Sequence, residues 1–155
     1  MTIAPTLKNY LDRNVSYDVV THDPTLSSLR TAEASHIPGG MLAKGIVLRT
    51  DGGYLLAVLP ASRRIQLSEL RALIGDDVEL ADEQEVASLF EDCAVGAVPP
   101  VGKCYGLDVI VDDSIERQPE VYLEGGDHKT LVHMSQAQFA QLMADARHAH
   151  FTASA

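Results

Sequence analysis

Cysteine is scarce in this chain of 155 residues: Cys93 and Cys104 are the only two, and they are not spaced as Cys-x-x-Cys. That leaves no disulfide framework and no paired-thiol redox or zinc motif, and it points to a protein of the reducing cytoplasm. Long apolar runs are missing too. The start MTIAPTLKNYLDRN has neither the basic opening nor the apolar run of a signal peptide, and no stretch reaches membrane-spanning length, so a soluble protein is expected. Basic residues are few. Lys and Arg total 12 against 22 Asp and Glu, a formal charge of −10 that disfavours a broad phosphate-reading surface and confines any nucleic-acid contact to a local patch. Asp76, Asp77, Glu79, Asp82, Glu83, Glu85, Glu91 and Asp92 crowd into residues 76–92 without a Lys or Arg, a pattern read as a solvated face.

Several catalytic signatures are absent as well. No Gly-x-Gly-x-x-Gly opens a helix, no His-Glu-x-x-His offers a metal site, and no Gly-x-Ser-x-Gly presents a nucleophile. His128 and His133 stand five positions apart, and His148 and His150 fall in a tail expected to fray, so no metal and no cofactor are expected. His133 alternates with Leu131 on one strand face and reads first as a structural histidine, with pocket lining as the lesser alternative. The segment from Gly96 to Lys103 imitates a phosphate loop and fails: five residues separate Gly96 from Gly102 where the motif needs four. Cys104 replaces the magnesium-binding Ser or Thr, and Pro99 and Pro100 remove two backbone N–H donors. What remains is a rigid, donor-poor loop, suited to walling a small pocket or presenting carbonyl oxygens, with an ordinary connector as the alternative.

Apolar spacing predicts a first helix carrying Ile3, Leu7, Tyr10 and Leu11 and stopping near Asn14, then a strand through Val15, Tyr17 and Val19. Leu26 to Ser35 reads as a short helix ending before Pro38. Two apolar strands around Asp51-Gly52-Gly53 form an antiparallel hairpin. A helix over Leu67 to Ile74 stops at Gly75, Val78 to Leu80 is a short strand, and Asp82 with Glu85 makes a capping box for the next helix. Leu107 to Val111, Glu120 to Glu124 and Thr130 to Met134 read as strands, and Ser135 with Gln138 caps a last helix through Ala146. No repeat or linker divides residues 1–155, so one domain is expected, of α+β class with a mixed, curled sheet.

Lys44 is the residue that does not fit its surroundings. It lies in Leu42-Ala43-Lys44-Gly45-Ile46-Val47-Leu48-Arg49, where strand alternation puts it on one face with Leu42, Ile46 and Leu48. An ammonium there is costly unless something anionic pairs with it, which suggests a group held for an anionic ligand or a developing negative charge. A lysine snorkelling from the strand to water is the plain alternative. A desolvated Schiff-base lysine is a third, which borohydride trapping separates from the others.

Taken in order, Leu29-Arg30-Thr31-Ala32-Glu33-Ala34, Leu42-Ala43-Lys44, Leu59-Pro60-Ala61, Gly96-Ala97-Val98-Pro99-Pro100 and Gly125-Gly126 resemble the YbaK-type aminoacyl-tRNA deacylases, relatives of the editing domain inserted in bacterial prolyl-tRNA synthetases. The resemblance runs from about Tyr17 to Met143. It implies a largely antiparallel, barrel-like sheet surrounded by helices, hydrolysis of mischarged tRNA without a metal, and a link to prolyl-tRNA synthetase. Lys44 matches the family's essential lysine, expected to engage the terminal phosphate or ribose region. Gly96 and Pro100 match its Gly-x-x-x-Pro loop, where a backbone carbonyl is expected to position the 2′-hydroxyl or a water. Ala97, Val98, Pro99, Pro100 and His133 are then expected to line the substrate, with Val98, His133 and Met134 favouring small amino acids by exclusion. A non-catalytic module of the same fold, docking a synthetase or another protein through its acidic face, is the competing expectation.

Overall fold

The computed structural model describes residues 3–23, 30–32 and 35–154. Helix α1, Pro5–Asn14, starts with proline at its first turn, where the missing N–H is not needed, and buries Leu7 and Leu11 at i, i+4 spacing. The helix expected over Leu26 to Ser35 lies largely outside the described residues. Strand β1 is Asp18–Thr21, and the hairpin is formed by β2, Leu42–Thr50, and β3, Gly53–Pro60, paired antiparallel from Ala43↔Pro60 to Thr50↔Gly53. Strand β4, Arg63–Ile65, was not foreseen. Then follow α2, Leu67–Leu73, β5, Glu79–Leu80, and α3, Glu83–Leu89, whose Asp82–Glu85 capping box is present in full.

The second half supplies β6, Asp108–Asp112, β7, Glu120–Glu124, and β8, Thr130–Ser135, close to the expected strands. Helix α4, Gln136–Leu142, is capped by Ser135, but the reciprocal half of the expected box is not made. Gln138 instead turns its side-chain carbonyl to the N–H of Ser16, 2.9 Å away, and ties α4 to the segment before β1. The chain end also departs from expectation. Rather than fraying, it forms β9, Arg147–Ala149, parallel to β6, and β10, Thr152–Ser154, antiparallel to β4, with Phe151 between them fully buried.

The main sheet is mixed and eight-stranded, ordered β1-β8-β7-β2-β3-β6-β9 with β5 added on β2; β4 and β10 make a second, small sheet. Alternation along β2 divides the core. Ala43 and Val47 join α1, β7 and α4 residues such as Leu7, Val121 and Phe139 in one cluster. Leu48 joins Leu59, Leu70 and Phe151 in another on the opposite face, and Leu42 joins Ala32, Ala61 and Leu131 in a third. Each fully buried leucine or phenylalanine in these clusters contributes roughly 1.5–3 kcal/mol, so the sheet is held from both sides.

Candidate functional site

The site grows from a gap in the sheet. On one edge β2 pairs with β3 along nearly its whole length; on the other, β7 meets it only at Leu42↔Tyr122 and Ala43↔Leu123, and β5 only at Leu48↔Leu80 and Arg49↔Glu79. Between them, residues 44–46 have no ladder partner on that edge among the described residues. The segment 93–100 packs across this stretch. A Cβ at Gly45 would lie 3.1 Å from Leu56 Cδ1, 3.2 Å from Pro100 Cα and 3.3 Å from Val98 Cγ1, so the absence of a side chain there is what lets the loop come down on the strand.

The loop is pinned from the β7–β8 turn. Ala94 N–H donates to the Gly126 carbonyl at 2.7 Å, and Ala97 N–H donates to the Ala94 carbonyl at 3.0 Å. The His128 ring Nε2 lies 2.6 Å from the Val95 carbonyl, and its Cε1 stands 3.6 Å from where a Cβ on Gly96 would be. Glu124 holds the turn itself, its Oε2 accepting the N–H groups of Gly126 at 2.8 Å and His128 at 3.3 Å. Asp127 accepts from Lys129 and Thr130 N–H at 2.9 and 2.8 Å. His128, considered in the sequence only as a metal ligand, is thus the clamp on the candidate loop. The string Gly125-Gly126-Asp127-His128 between two strands signals a tight turn, but its reach to Val95 is a long-range contact that spacing does not reveal.

Gly96 is exposed and adopts φ +80°, a left-handed conformation that favours glycine. Among the described residues its carbonyl accepts no hydrogen bond. Ala97, Pro99 and Pro100 are buried, and Val98 is partly buried. These four make a stiff base beneath an open carbonyl.

The structure places Lys44 next to Gly45, on which this loop rests, but sends its side chain from the other face of β2, paired across the sheet with Leu59. Lys44 is partly buried, and among the described residues no carboxylate lies within ion-pair distance. Loss of hydration lowers its pKa from the ordinary lysine value. Because Tyr122 and Leu123 pair with Leu42 and Ala43, β7 runs into the 124–128 turn at the level of Lys44. Lysine, turn and loop therefore meet at one place along the strand.

His133 sits farther out on the Lys44 face, reached through Leu42↔Tyr122 and Tyr122↔His133. Its ring stacks on Tyr122 at 4.5 Å, Nδ1 lies 2.6 Å from Asp18 Oδ1 and Nε2 3.1 Å from Glu120 Oε1. A substrate group must displace one of those carboxylates to reach it. Met134 and Val98 belong to the opposite face, in the cluster around Phe139.

A cavity of about 260 Å³ opens on the Gly45 face, lined by Ile46, Val47, Val86, Phe90, Gly96 and Val98 among others. Lys44, Pro100 and His133 do not line it. Cys93 borders it, and burial pushes its thiol up to about 11, as burial pushes Cys104 up to about 12, so neither is a thiolate near neutral pH. Among the described residues, Asp112, Asp113 and His150 gather elsewhere, with ligating atoms within 4.8 Å of one another. Buried Asp112 is already occupied by Phe151 N–H at 2.9 Å, Thr152 Oγ1 at 2.9 Å and Ser114, and serves the chain end.

Known proteins resemble this chain in sequence and in fold. The multifunctional Ser/Thr-tRNA deacylase ProXp-y of Escherichia coli (strain K12) is 30% identical over 116 residues, 71% of this chain and 69% of the relative. Proline–tRNA ligase of Thermosipho africanus is 27% identical over 74 residues, 47% of this chain but only 13% of the ligase. A solved structure described as a candidate trans-editing enzyme for prolyl-tRNA synthetase matches with TM-score 0.84 and 25% identity, covering 97% of each chain. Hypothetical protein APE2540, at TM-score 0.84 and 21% identity over 96% of this chain and 99% of its own, shares the fold. The family model for the aminoacyl-tRNA editing domain matches residues 22–142, from the end of β1 through α4, and the chain belongs to that family.

Proposed function

We propose that the protein is a trans-editing hydrolase that cleaves the ester between a small amino acid and the terminal adenosine of a mischarged tRNA, with the Lys44 ammonium and the Gly96–Pro100 loop as its working parts. The observation that carries this reading is a half-buried lysine with no ionic partner among the described residues, set at the point where an open loop carbonyl is clamped over the strand. Lys44 supplies positive charge to the phosphate or ribose region of the acceptor end, in a molecule otherwise net negative. The Gly96 carbonyl accepts a hydrogen bond from the 2′-hydroxyl or from water and orients it. Water then attacks the ester carbon, one of its protons passes to the departing ribose oxygen and the other to solvent, and the amino acid leaves as its carboxylate. Positioning and electrostatic stabilisation carry the rate, and neither thiol takes part.

The relatives support small substrates and a connection to proline charging: one is a Ser/Thr-tRNA deacylase and one a proline–tRNA ligase. Single-turnover deacylation of tRNAs charged with Ala, Ser, Thr or Cys, tRNA for proline included, tests the reading with wild type and Lys44→Ala side by side. Hydrolysis of at least one member, lost in Lys44→Ala with the fold intact, is expected. Rates equal to spontaneous hydrolysis across the panel overturn it. Val98 contributes to selectivity in this reading, so Val98→Phe reduces cleavage of the preferred ester; an unchanged rate removes Val98 from the pocket.

A further inference from the structure

We propose that the cavity between α3 and the free edge of β2 is a protein-docking site, which takes one bulky apolar side chain presented on a basic segment of a partner protein. At about 260 Å³ it falls below the roughly 300–1,000 Å³ of sites that enclose a cofactor or drug-sized ligand, and suits a single anchoring side chain. Its walls are Ile46, Val47, Ala81, Val86, Ala87 and Phe90. Its rim is apolar as well: Leu80 and Val95, 52% and 68% exposed, are two of the three large hydrophobic residues left in solvent among the described residues, and both border this one opening. Exposed apolar side chains gathered around a concave apolar surface mark a contact site rather than ordinary surface scatter.

Charge identifies the occupant. The cavity lies in the acid-rich stretch 76–92, which has no Lys or Arg. Arg49, the neighbouring cation on β2, is already spent on Glu79 at 2.8 Å and Glu85 at 2.7 Å. Glu83, on the rim, has no hydrogen-bond or ion-pair partner among the described residues and is free to meet a Lys or Arg from outside. This potential repels the phosphates of tRNA and attracts a basic polypeptide, so the surface is complementary to a protein segment with an apolar anchor between cations. Gly96 and Val98 form part of the cavity wall, so an anchored side chain touches the back of the loop whose front is the candidate active site.

The test uses the full chain and a synthetic lysine-rich peptide with a central Leu-Phe pair, beside one control with that pair replaced by Ser-Ser and another with the lysines replaced by glutamate. Binding is followed by amide chemical-shift mapping and by fluorescence anisotropy at low and physiological salt. The expected result is binding of the first peptide at least tenfold tighter than either control, with shifts at Val86, Ala87 and Val95. Ala87→Trp, which fills the cavity, and Glu83→Lys, which reverses the rim, each weaken it tenfold or more while circular dichroism is retained, and Glu83→Lys also retains deacylation. Equal binding of the Leu-Phe and Ser-Ser peptides, shifts confined to other surfaces, or no binding at all overturns the proposal. Loss of deacylation in Lys44→Ala with peptide binding intact separates this site from the catalytic one.

Discussion

Lys44 is held in an environment that works against its own charge. Its folded pKa is lowered by burial, so the folded state binds its proton less readily than the unfolded chain does. The penalty is fully present below the folded pKa and is relieved as pH rises toward the unfolded value near 10.5. Lys44→Met, which keeps the stem and removes the charge, is therefore expected to raise Tm at pH 7 while abolishing deacylation. Calorimetry and single-turnover kinetics on one preparation check both halves; a lower Tm refutes the account of its burial. Lys44 was legible in the sequence because one charged residue interrupts an apolar strand. His128 was not, because its role rests on a 2.6 Å contact to Val95, 33 residues away in the chain. His128→Ala is expected to slow deacylation on the order of 10–100-fold by loosening the loop, with little effect on tRNA affinity. Equal losses in rate and affinity would assign His128 a binding role instead.

Hairpins, caps and turns carry the next level. The β2–β3 hairpin and the Asp82–Glu85 box follow local rules and match the structure nearly residue for residue. What local rules cannot supply is the partner of a short strand. Arg63–Ile65 carries too few residues to show alternation, and its partner Thr152–Ser154 lies 89 positions away at the central pair Arg64↔Ala153, with the Arg63 Nε donating to Thr152 Oγ1 at 2.6 Å alongside. The strand gap at 44–46 is equally invisible, since it depends on where β5 and β7 part from β2. Gly45→Ala tests that junction: its methyl would press on Pro100 Cα at 3.2 Å, and backbone cannot swing aside as a side-chain tip can. A stability loss of about 1–3 kcal/mol is expected, together with slower deacylation. Urea unfolding and kinetics measure the two effects; normal values for both would show that the loop yields without cost.

The terminal strands have a pH signature of their own. Burial alone would raise the pKa of Asp112, but hydrogen bonds from Phe151 N–H, Ser114 and Thr152 outweigh it and the value is lowered from 3.8. A carboxylate depressed in this way contributes stability that is present above the unfolded value near 3.8 and lost as pH falls through the folded one. The wild-type urea midpoint should therefore drop below about pH 4, and drop less in Asp112→Asn, which has already forfeited the ionised acceptor. Parallel pH profiles for the two proteins would remove Asp112 from that account.

For the molecule as a whole, charge sets how tRNA can be held. With a net charge of −10 and one lysine at the candidate site, few phosphates can be neutralised. Each contacted phosphate contributes roughly −0.7 to −0.9 to the slope of log K against log salt, so a slope of about −2 or shallower is expected. A steep slope from filter-binding titrations would point to a second cationic surface. The class and mixed character of the sheet were legible from interleaved helices and strands, whereas the order of strands was not, because it is set by pairings between distant segments. Those distant pairings also govern when the molecule can exist. Residues 18–21 wait for 130–133, and residues 63–65 wait for 152–154. A chain delivered only to Ala146 holds β4 without its partner and β6 with an open edge, so these two edges close only when residues 147–154 arrive. A chain that stops short of that point presents those strand edges unpaired.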